Sequence, residues 1–283
     1  MREAHFIPSL GEAELHLEYA MFEEKKQGSL IYMTSTVLPA RHAFLTRFGG
    51  VSRGPFFSLN LGSNRGDDPE AVRENYRRAA ALMGAGIDDC AVTKQVHKNE
   101  VRIVTGEDRH VCMSTVPYEA DGIVTAEKGL PLFCFTADCV PALLLDPEHG
   151  VAGAVHCGWR SSVTDILKNA LEKMETLGAE RENIRVALGP AIGKCCFETD
   201  GDVPAAIDTY LGGETEGLWT RKENGKYLVD LRLANKRRLL QLGLRKEHID
   251  LSEECTMCSH EKYWSHRYTR GIRGSQAACI VLE

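Results

Sequence analysis

Apolar positions recur at helical spacing in several stretches of the chain. Ala71, Val72, Asn75, Tyr76, Ala79, Ala80 and Met83 share one face of a predicted helix. Asp67 or Asp68 can cap it, Pro69 suits its first turn, and Gly84 and Gly86 end it. Val163, Ile166, Leu167, Ala170, Leu171 and Met174 form a second stripe, which predicts a helix from about Trp159 to Leu177. "DVPAAIDTYLG" and "DLRLANKRRLLQLGL" also read as helices. Between them lie apolar runs too short for helices. "ADGIVTAEKGLPLFCFTADCVPALLLDPEHGVAGAVHCG" is strand-rich, with turns at Lys128–Gly129 and Asp146–Gly150. "CAVTKQVHKNEVRIVT", from Cys90 to Thr105, predicts two strands joined at "HKNE". "IRVALG" predicts a strand running into a Gly-Pro loop, and "QAACIVLE" a last strand. Near the start, "ELHLEYAMF" alternates as a strand does and "KKQGS" reads as a turn.

Strands and helices mix throughout, so the fold class is α/β (α+β). No linker or low-complexity stretch divides the chain, and 283 residues fit one large domain. The expected organisation is an N-terminal extension over residues 1–35, packed on a catalytic domain over residues 36–283.

Charge narrows the function. A net charge of −6 and a pI near 6.0 argue against a nucleic-acid partner, which calls for a basic domain or stripe. No run approaches the roughly 18 apolar residues of a membrane span. The acidic, amphipathic N-terminus lacks the basic and apolar regions of a signal peptide, so a cytoplasmic location is expected. In that setting the 10 cysteines are free thiols or metal ligands rather than a disulfide framework.

"FTADCVPALLLD", Phe135 to Asp146, sets an acid and a thiol at the start of a buried strand. His97 in "KQVHKNE" and His156 in "GAVHCGWRSS" also fall where strands end, and strand ends bring side chains from different elements to one point. His97, Cys139 and His156 would make a three-ligand zinc site with one position open. Spacing leaves two other readings standing. Cys139 can be a core thiol, or a nucleophile activated by His156. Cys157, next to His156, would point to the opposite face of a strand. "CTMC" at Cys255–Cys258 is half of a zinc-ribbon pattern, with His260 and His266 close behind. Cys195–Cys196 reads as packing or as a wall of the site. Arg47, Arg160 and Arg267 lie in Gly- or Ser-rich contexts and suit anion binding.

In order along the chain stand "FLTRFGGVSRGPFFSLNLGSNRGDDPEAVRENYRR", "KQVH", "ADGIVT", "FTADCVPALLLD", "GAVHCGWRSS", "ALGPAIGKCCFE" and "CTMC" followed by "YWSHR". This ordered set resembles the YfiH/YlmD family, whose members carry the names laccase-domain protein, polyphenol oxidase and purine nucleoside phosphorylase. The resemblance implies a single domain with central mixed sheets flanked by helices, distantly similar to a cysteine-hydrolase toxin fold. It implies that His97, Cys139 and His156 are the metal ligands and catalytic residues, with zinc as the metal and copper the second candidate. It implies phosphorolysis of adenosine, inosine and methylthioadenosine to free base and (methylthio)ribose 1-phosphate, with adenosine deaminase activity. The partners would be purine nucleosides and phosphate, held by Arg47, Asn60 and Arg160, in a monomer or weak homodimer. This chain departs from the family at Lys98, where Gly is usual, at Asn64, where His is common, and in "GWRSS" and "SHRYTRGIRGSQ".

Two other classes use the same residues. A copper-dependent polyphenol oxidase would need many histidines for several coppers, and the chain has 10 with no His-x-His pair. A Cys-His amide hydrolase acting on cell-wall precursors would use Cys139 and His156 without metal.

Overall fold

The computed structural model describes residues 21–63 and 65–283. In chain order come β1 (Phe22–Gln27), β2 (Leu30–Ser35), β3 (Arg41–Leu45), α1 (Pro69–Leu82) and β4 (Val101–Ile103). Then follow β5 (Gly122–Thr125), β6 (Leu132–Thr136), β7 (Val140–Asp146) and β8 (Val151–Cys157). Helices α2 (Trp159–Val163) and α3 (Ile166–Thr176) lead to β9 (Arg185–Leu188), β10 (Glu198–Thr199) and α4 (Asp202–Leu211). The chain closes through β11 (Trp219–Arg221), β12 (Tyr227–Val229), α5 (Leu231–Gln241), β13 (Ile249–Leu251), α6 (His266–Thr269) and β14 (Gln276–Val281).

Two large sheets lie face to face between helical layers. One is antiparallel, in the order β1-β2-β3-β14-β6. The other runs β13-β9-β7-β8-β5-β4 and is mixed, because β13–β9 and β4–β5 are parallel. The side-chain period of two sorts the core. Leu132 and Cys134 of β6, Leu143 and Leu145 of β7, and Ala278 and Ile280 of β14 fill the space between the sheets. Phe133 of β6 and Ala277, Cys279 and Val281 of β14 turn outward and meet Ala79, Ala80 and Leu82 of α1. Val140, Ala142 and Leu144 of β7 turn the other way, towards Leu167, Leu171 and Met174 of α3. Strand β7 is buried on both faces, which is why its sequence is almost unbroken apolar. Its one acid, Asp146, accepts from the backbone N–H groups of Glu148, His149 and Glu180 and from His149 Nδ1, so it caps a buried turn. A small sheet in the order β10-β12-β11 completes the fold.

The first predicted helix forms as α1, capped by Asp68, whose side chain accepts from Glu70 N–H. The second breaks into α2 and α3. Asp165 takes a left-handed conformation at φ +71 and pairs its carboxylate with Arg238, which interrupts the helical ladder. The first of the two strands expected between Cys90 and Thr105 does not form, and β4 is the second. Residues 91 and 94 make only isolated bridges, and the backbone N–H groups of Val96, His97 and Lys98 turn instead to the carboxylate of Asp121. The strands β10, β11 and β12 were not expected. Of the strand expected over Glu14–Phe22, only Met21 and Phe22 fall within the described residues, and Phe22 opens β1; Asn64 is outside them. Residues 22–35 are the outer two strands of the five-stranded sheet.

Candidate active site

The register of β7 and β8 builds the site. Val140 pairs with Cys157 and Pro141 with His156, so Cys139, one residue before β7, lies beside the end of β8. Cys157 points into the helix-facing core, opposite His156, and burial holds its thiol well above the usual range. His97 reaches the same point from the loop before β4. Its φ of +60 and the φ of +91 at Asp138 are strained backbone on either side of the site, a cost that a functional geometry can justify.

The ligand atoms of His97, Cys139 and His156 all lie within 4.8 Å of one another. Cys139 Sγ is 3.9 Å from His97 Nε2, and the two imidazole rings meet edge to face at 4.8 Å. A Cβ at Gly158 would stand 3.0 Å from His97 Cδ2 and 3.4 Å from Cys139 Sγ, so only glycine leaves this space free.

One buried acid organises all three. Asp121 Oδ1 accepts from His156 Nδ1 at 2.8 Å and from His97 N–H at 2.9 Å. Its Oδ2 accepts from Val96 and Lys98 N–H at 2.9 and 3.0 Å. Burial raises the Asp121 pKa, but these donors outweigh it and hold the carboxyl below its usual range. Asp121 therefore keeps Nδ1 of His156 protonated and leaves Nε2 as the donor facing Cys139. That is how an outer carboxylate fixes a metal-binding imidazole. Burial likewise opposes ionisation of Cys139, yet the His156 charge and hydrogen bonds from both imidazoles bring its thiol down to about 6. His156 is raised to about 9: burial lowers it, and Cys139 and Asp121 more than compensate. Without a metal, the opposite shifts of Cys139 and His156 favour a thiolate–imidazolium pair. Two imidazoles and one thiolate, converging with one direction open, suit a tetrahedral divalent ion such as zinc.

The site opens into a cavity of about 620 Å³. Tyr76, Val92, Val116 and Phe135 line one side, and the Tyr76 and Phe135 rings are 5.8 Å apart. Arg65, His266, Arg267 and Arg273 line another. Burial and the nearby Arg65 charge bring Arg273 down to about 10, and its buried Nε has no partner. Arg267 Nη1 donates to the Glu198 carbonyl and Arg273 Nη1 to the Gly274 carbonyl and Ser275 Oγ, and guanidiniums gathered in this way suit an anion.

The three residues expected to hold substrate stand elsewhere. Arg47 stacks 4.0 Å over Trp264 and donates to the carbonyls of Phe57 and His260. Asn60 is fully buried; its amide oxygen accepts from Gly62 and Ser275 N–H, and its nitrogen donates to Asp67. Arg160 is exposed and lies over Trp159. None of the three lines the cavity. Of the arginines proposed from sequence only Arg267 does; its backbone N–H is fixed by Asp138 Oδ2 at 2.7 Å. The sequence reading missed Arg65, Arg273 and Asp121. An acid in the otherwise apolar "ADGIVT" was the available signal for Asp121.

Residues 41–283 match the family described as multi-copper polyphenol oxidoreductase laccase. The purine nucleoside phosphorylase YlmD of Geobacillus stearothermophilus is 34% identical over 92% of this chain and 96% of its own. A purine nucleoside phosphorylase of Deinococcus radiodurans is 39% identical over 87% of this chain and 90% of its own. The crystal structure of YlmD from Geobacillus stearothermophilus superposes with a TM-score of 0.87 at 32% identity, covering 93% of this chain and 99% of that one. That of YfiH from Bacillus licheniformis superposes with a TM-score of 0.86 at 28% identity, covering 92% and 99%. The chain belongs to the YfiH/YlmD family of laccase-domain proteins. Its curated relatives carry the name purine nucleoside phosphorylase, which supports an enzyme.

Proposed function

We propose that the chain is a zinc-dependent purine nucleoside phosphorylase, with His97, Cys139 and His156 as metal ligands and catalytic residues. Its substrates are adenosine, inosine and methylthioadenosine, and adenosine deamination is a further activity. The observation that carries this reading is the junction in one cavity of the triad, an aromatic wall and a cluster of arginines. Bound zinc would supply a Lewis acid and a water of lowered pKa.

The chain's own residues do the rest. Tyr76 and Phe135 offer flat apolar surface to a purine. Arg65, Arg267 and Arg273 hold phosphate by charge-assisted hydrogen bonds. A phosphate oxygen held there attacks the ribose C1′. The glycosidic C1′–N9 bond breaks, its electron pair passes to the base, and ribose 1-phosphate remains.

A second reading rests on a specific contact. Asp121, His156 and Cys139 stand in the order of orienting acid, base and thiol nucleophile, as in an amide hydrolase. The copper oxidase reading agrees with the family's description, but the triad offers three ligands for a single ion and the other cluster among the described residues is all thiol, which does not make a set of linked copper sites.

Product analysis decides. Adenosine incubated with zinc-loaded protein should yield adenine and ribose 1-phosphate only when phosphate is present, with inosine appearing in both samples. Unchanged adenosine in both, together with hydrolysis of amide substrates by the metal-free protein, would overturn the proposal in favour of the hydrolase.

A further inference from the structure

Four thiols outside the cavity converge on one point. Cys195 and Cys196 lie in the loop after β9, and Cys255 and Cys258 in the turn after β13. Strands β9 and β13 are parallel neighbours, so both connections leave the same end of the sheet. Their pairing continues past the strands through an Ala191–Cys255 bridge and a Thr256 N–H to Ala191 carbonyl bond of 3.1 Å. The four Sγ atoms all lie within 4.8 Å of one another. Cys258 Sγ is 3.5 Å from Cys195 Sγ and 3.4 Å from Cys196 Sγ.

We infer that Cys195, Cys196, Cys255 and Cys258 form a second, tetrathiolate zinc site that fastens one wall of the cavity. Sulfurs at the corners of a tetrahedron with bonds of about 2.3 Å stand about 3.8 Å apart, close to the spacing here. A disulfide would bring one pair to about 2.05 Å, and Cys258 favours neither of its two neighbours. The turn is arranged for a thiolate. Cys255 Sγ accepts from Gly193 N–H at 3.2 Å, and the N–H groups of Met257 and Cys258 also bond to it. Charge compensation is at hand as well. The buried Arg232 guanidinium and Cys195 Sγ lie against the same face of Gly193, at 3.1 and 3.3 Å from where a Cβ would stand.

The consequence reaches the triad. Ile192 and Phe197, on the first loop, line the cavity. Ile192 N–H donates to the Asp138 carbonyl at 2.9 Å, and Thr256, on the second loop, donates its hydroxyl to Asp138 Oδ1 at 2.7 Å. Joining the loops through one ion would hold the strained Asp138, and so Cys139 beside it, in position. The inference stands on the geometry of the thiols and not on the reaction assigned to the cavity.

The test uses the full chain carrying His97→Ala and His156→Ala, which removes two imidazoles and keeps the four thiols. After loading with zinc chloride and desalting, it should retain about one zinc per chain. Cobalt(II) chloride should give intense thiolate-to-metal absorption in the same variant. Adding Cys255→Ser and Cys258→Ser should abolish both signals. Should that last variant fail to fold, the native protein still reports. Its exposed Cys195 and Cys258 should resist a thiol reagent until a chelator is added. Freely reacting thiols and no bound zinc in the triad variant, a disulfide among the four, or iron in place of zinc would each overturn the inference. The readouts are metal content and thiol protection, so a failed nucleoside assay would leave it standing.

Discussion

The triad and the four-thiol cluster draw on overlapping ligand types in different surroundings. The triad has three donors, two of them imidazoles, and faces a cavity. The cluster has four thiols and joins two loops. A metal ion with three protein ligands keeps a position for water or substrate, whereas four close the shell. The surroundings differ in the same sense. Burial opposes the Cys139 thiolate but the His156 charge and hydrogen bonds from both imidazoles outweigh it, while burial and neighbouring thiols push Cys195 up to about 11. Within the cluster the thiols differ, since backbone N–H groups bring Cys255 down while its neighbours Cys195 and Cys196 are held up.

The sharpest way to break this contrast is at the triad. Cys139→Ala or His97→Ala should lower nucleoside turnover by about 1,000-fold or more, since removing a ligand or nucleophile deletes the catalytic unit. The midpoint of thermal unfolding should barely move, and the four-thiol cluster should keep its ion. Full activity in either variant would remove the triad from the mechanism.

Thiol reactivity in metal-free protein sharpens the contrast further. At pH 7 iodoacetamide should modify Cys139 about 100-fold faster than Cys195. The difference in thiolate fraction is larger, but the weaker nucleophilicity of a low-pKa thiolate offsets part of it. The Cys139 rate should fall as pH drops through about 6. Stability should not follow that inflection upward. Cys139, lowered from 9.0, gains stabilisation as pH rises from about 6 to 9.0, and His156, raised from 6.5, loses it between 6.5 and about 9. Folded and unfolded states bind equal numbers of protons at this pair across that window, so its contribution is flat. Equal alkylation rates at the two cysteines would contradict the electrostatic difference.

Asp121→Asn should act more gently on chemistry. The amide puts a donor among four donors, so at least one buried N–H loses its partner at about 1–3 kcal/mol. Zinc affinity at the triad should weaken by about 10–100-fold, measured by competition with a chromophoric chelator. Unchanged affinity would mean that Asp121 serves only the loop.

These differences mark what the sequence could carry. Periodicity exposed α1, β7 and β8, because a burial pattern is written in residue type. The ordered motifs single out His97, Cys139 and His156, whose ligand atoms the fold brings within 4.8 Å of one another. The four-thiol cluster was hidden, since Cys195 and Cys258 are 63 residues apart and only the β9–β13 pairing brings their loops together. The placement of the arginines was hidden for a related reason. Arg47 and Arg160 sit in loop-like contexts as Arg267 does, and only the fold shows that those two lie over Trp264 and Trp159 while Arg267 lines the cavity. The split at Asp165 needed the distant Arg238.

The smallest expected change in activity comes from the cluster, and it separates the two regions most cleanly. Cys258→Ser replaces one sulfur with a poorer zinc ligand at a position that touches no cavity residue's side chain through the hydrogen bonds seen here. Its ion should be lost or weakened, and the loops after β9 and β13 should then rely on the Ala191–Cys255 bridge and the Thr256–Asp138 bond. The unfolding midpoint should fall by several degrees, given about 2–4 °C per kcal/mol for chains of this size. Turnover measured well below that midpoint should fall by less than about tenfold, because looser loops shift Asp138 and Cys139 without removing a reacting group. Cys139→Ser should show the reverse, a stable protein without turnover. If Cys258→Ser instead lost activity with its stability intact, the cluster would belong to the chemistry and the division between an open and a closed site would fail.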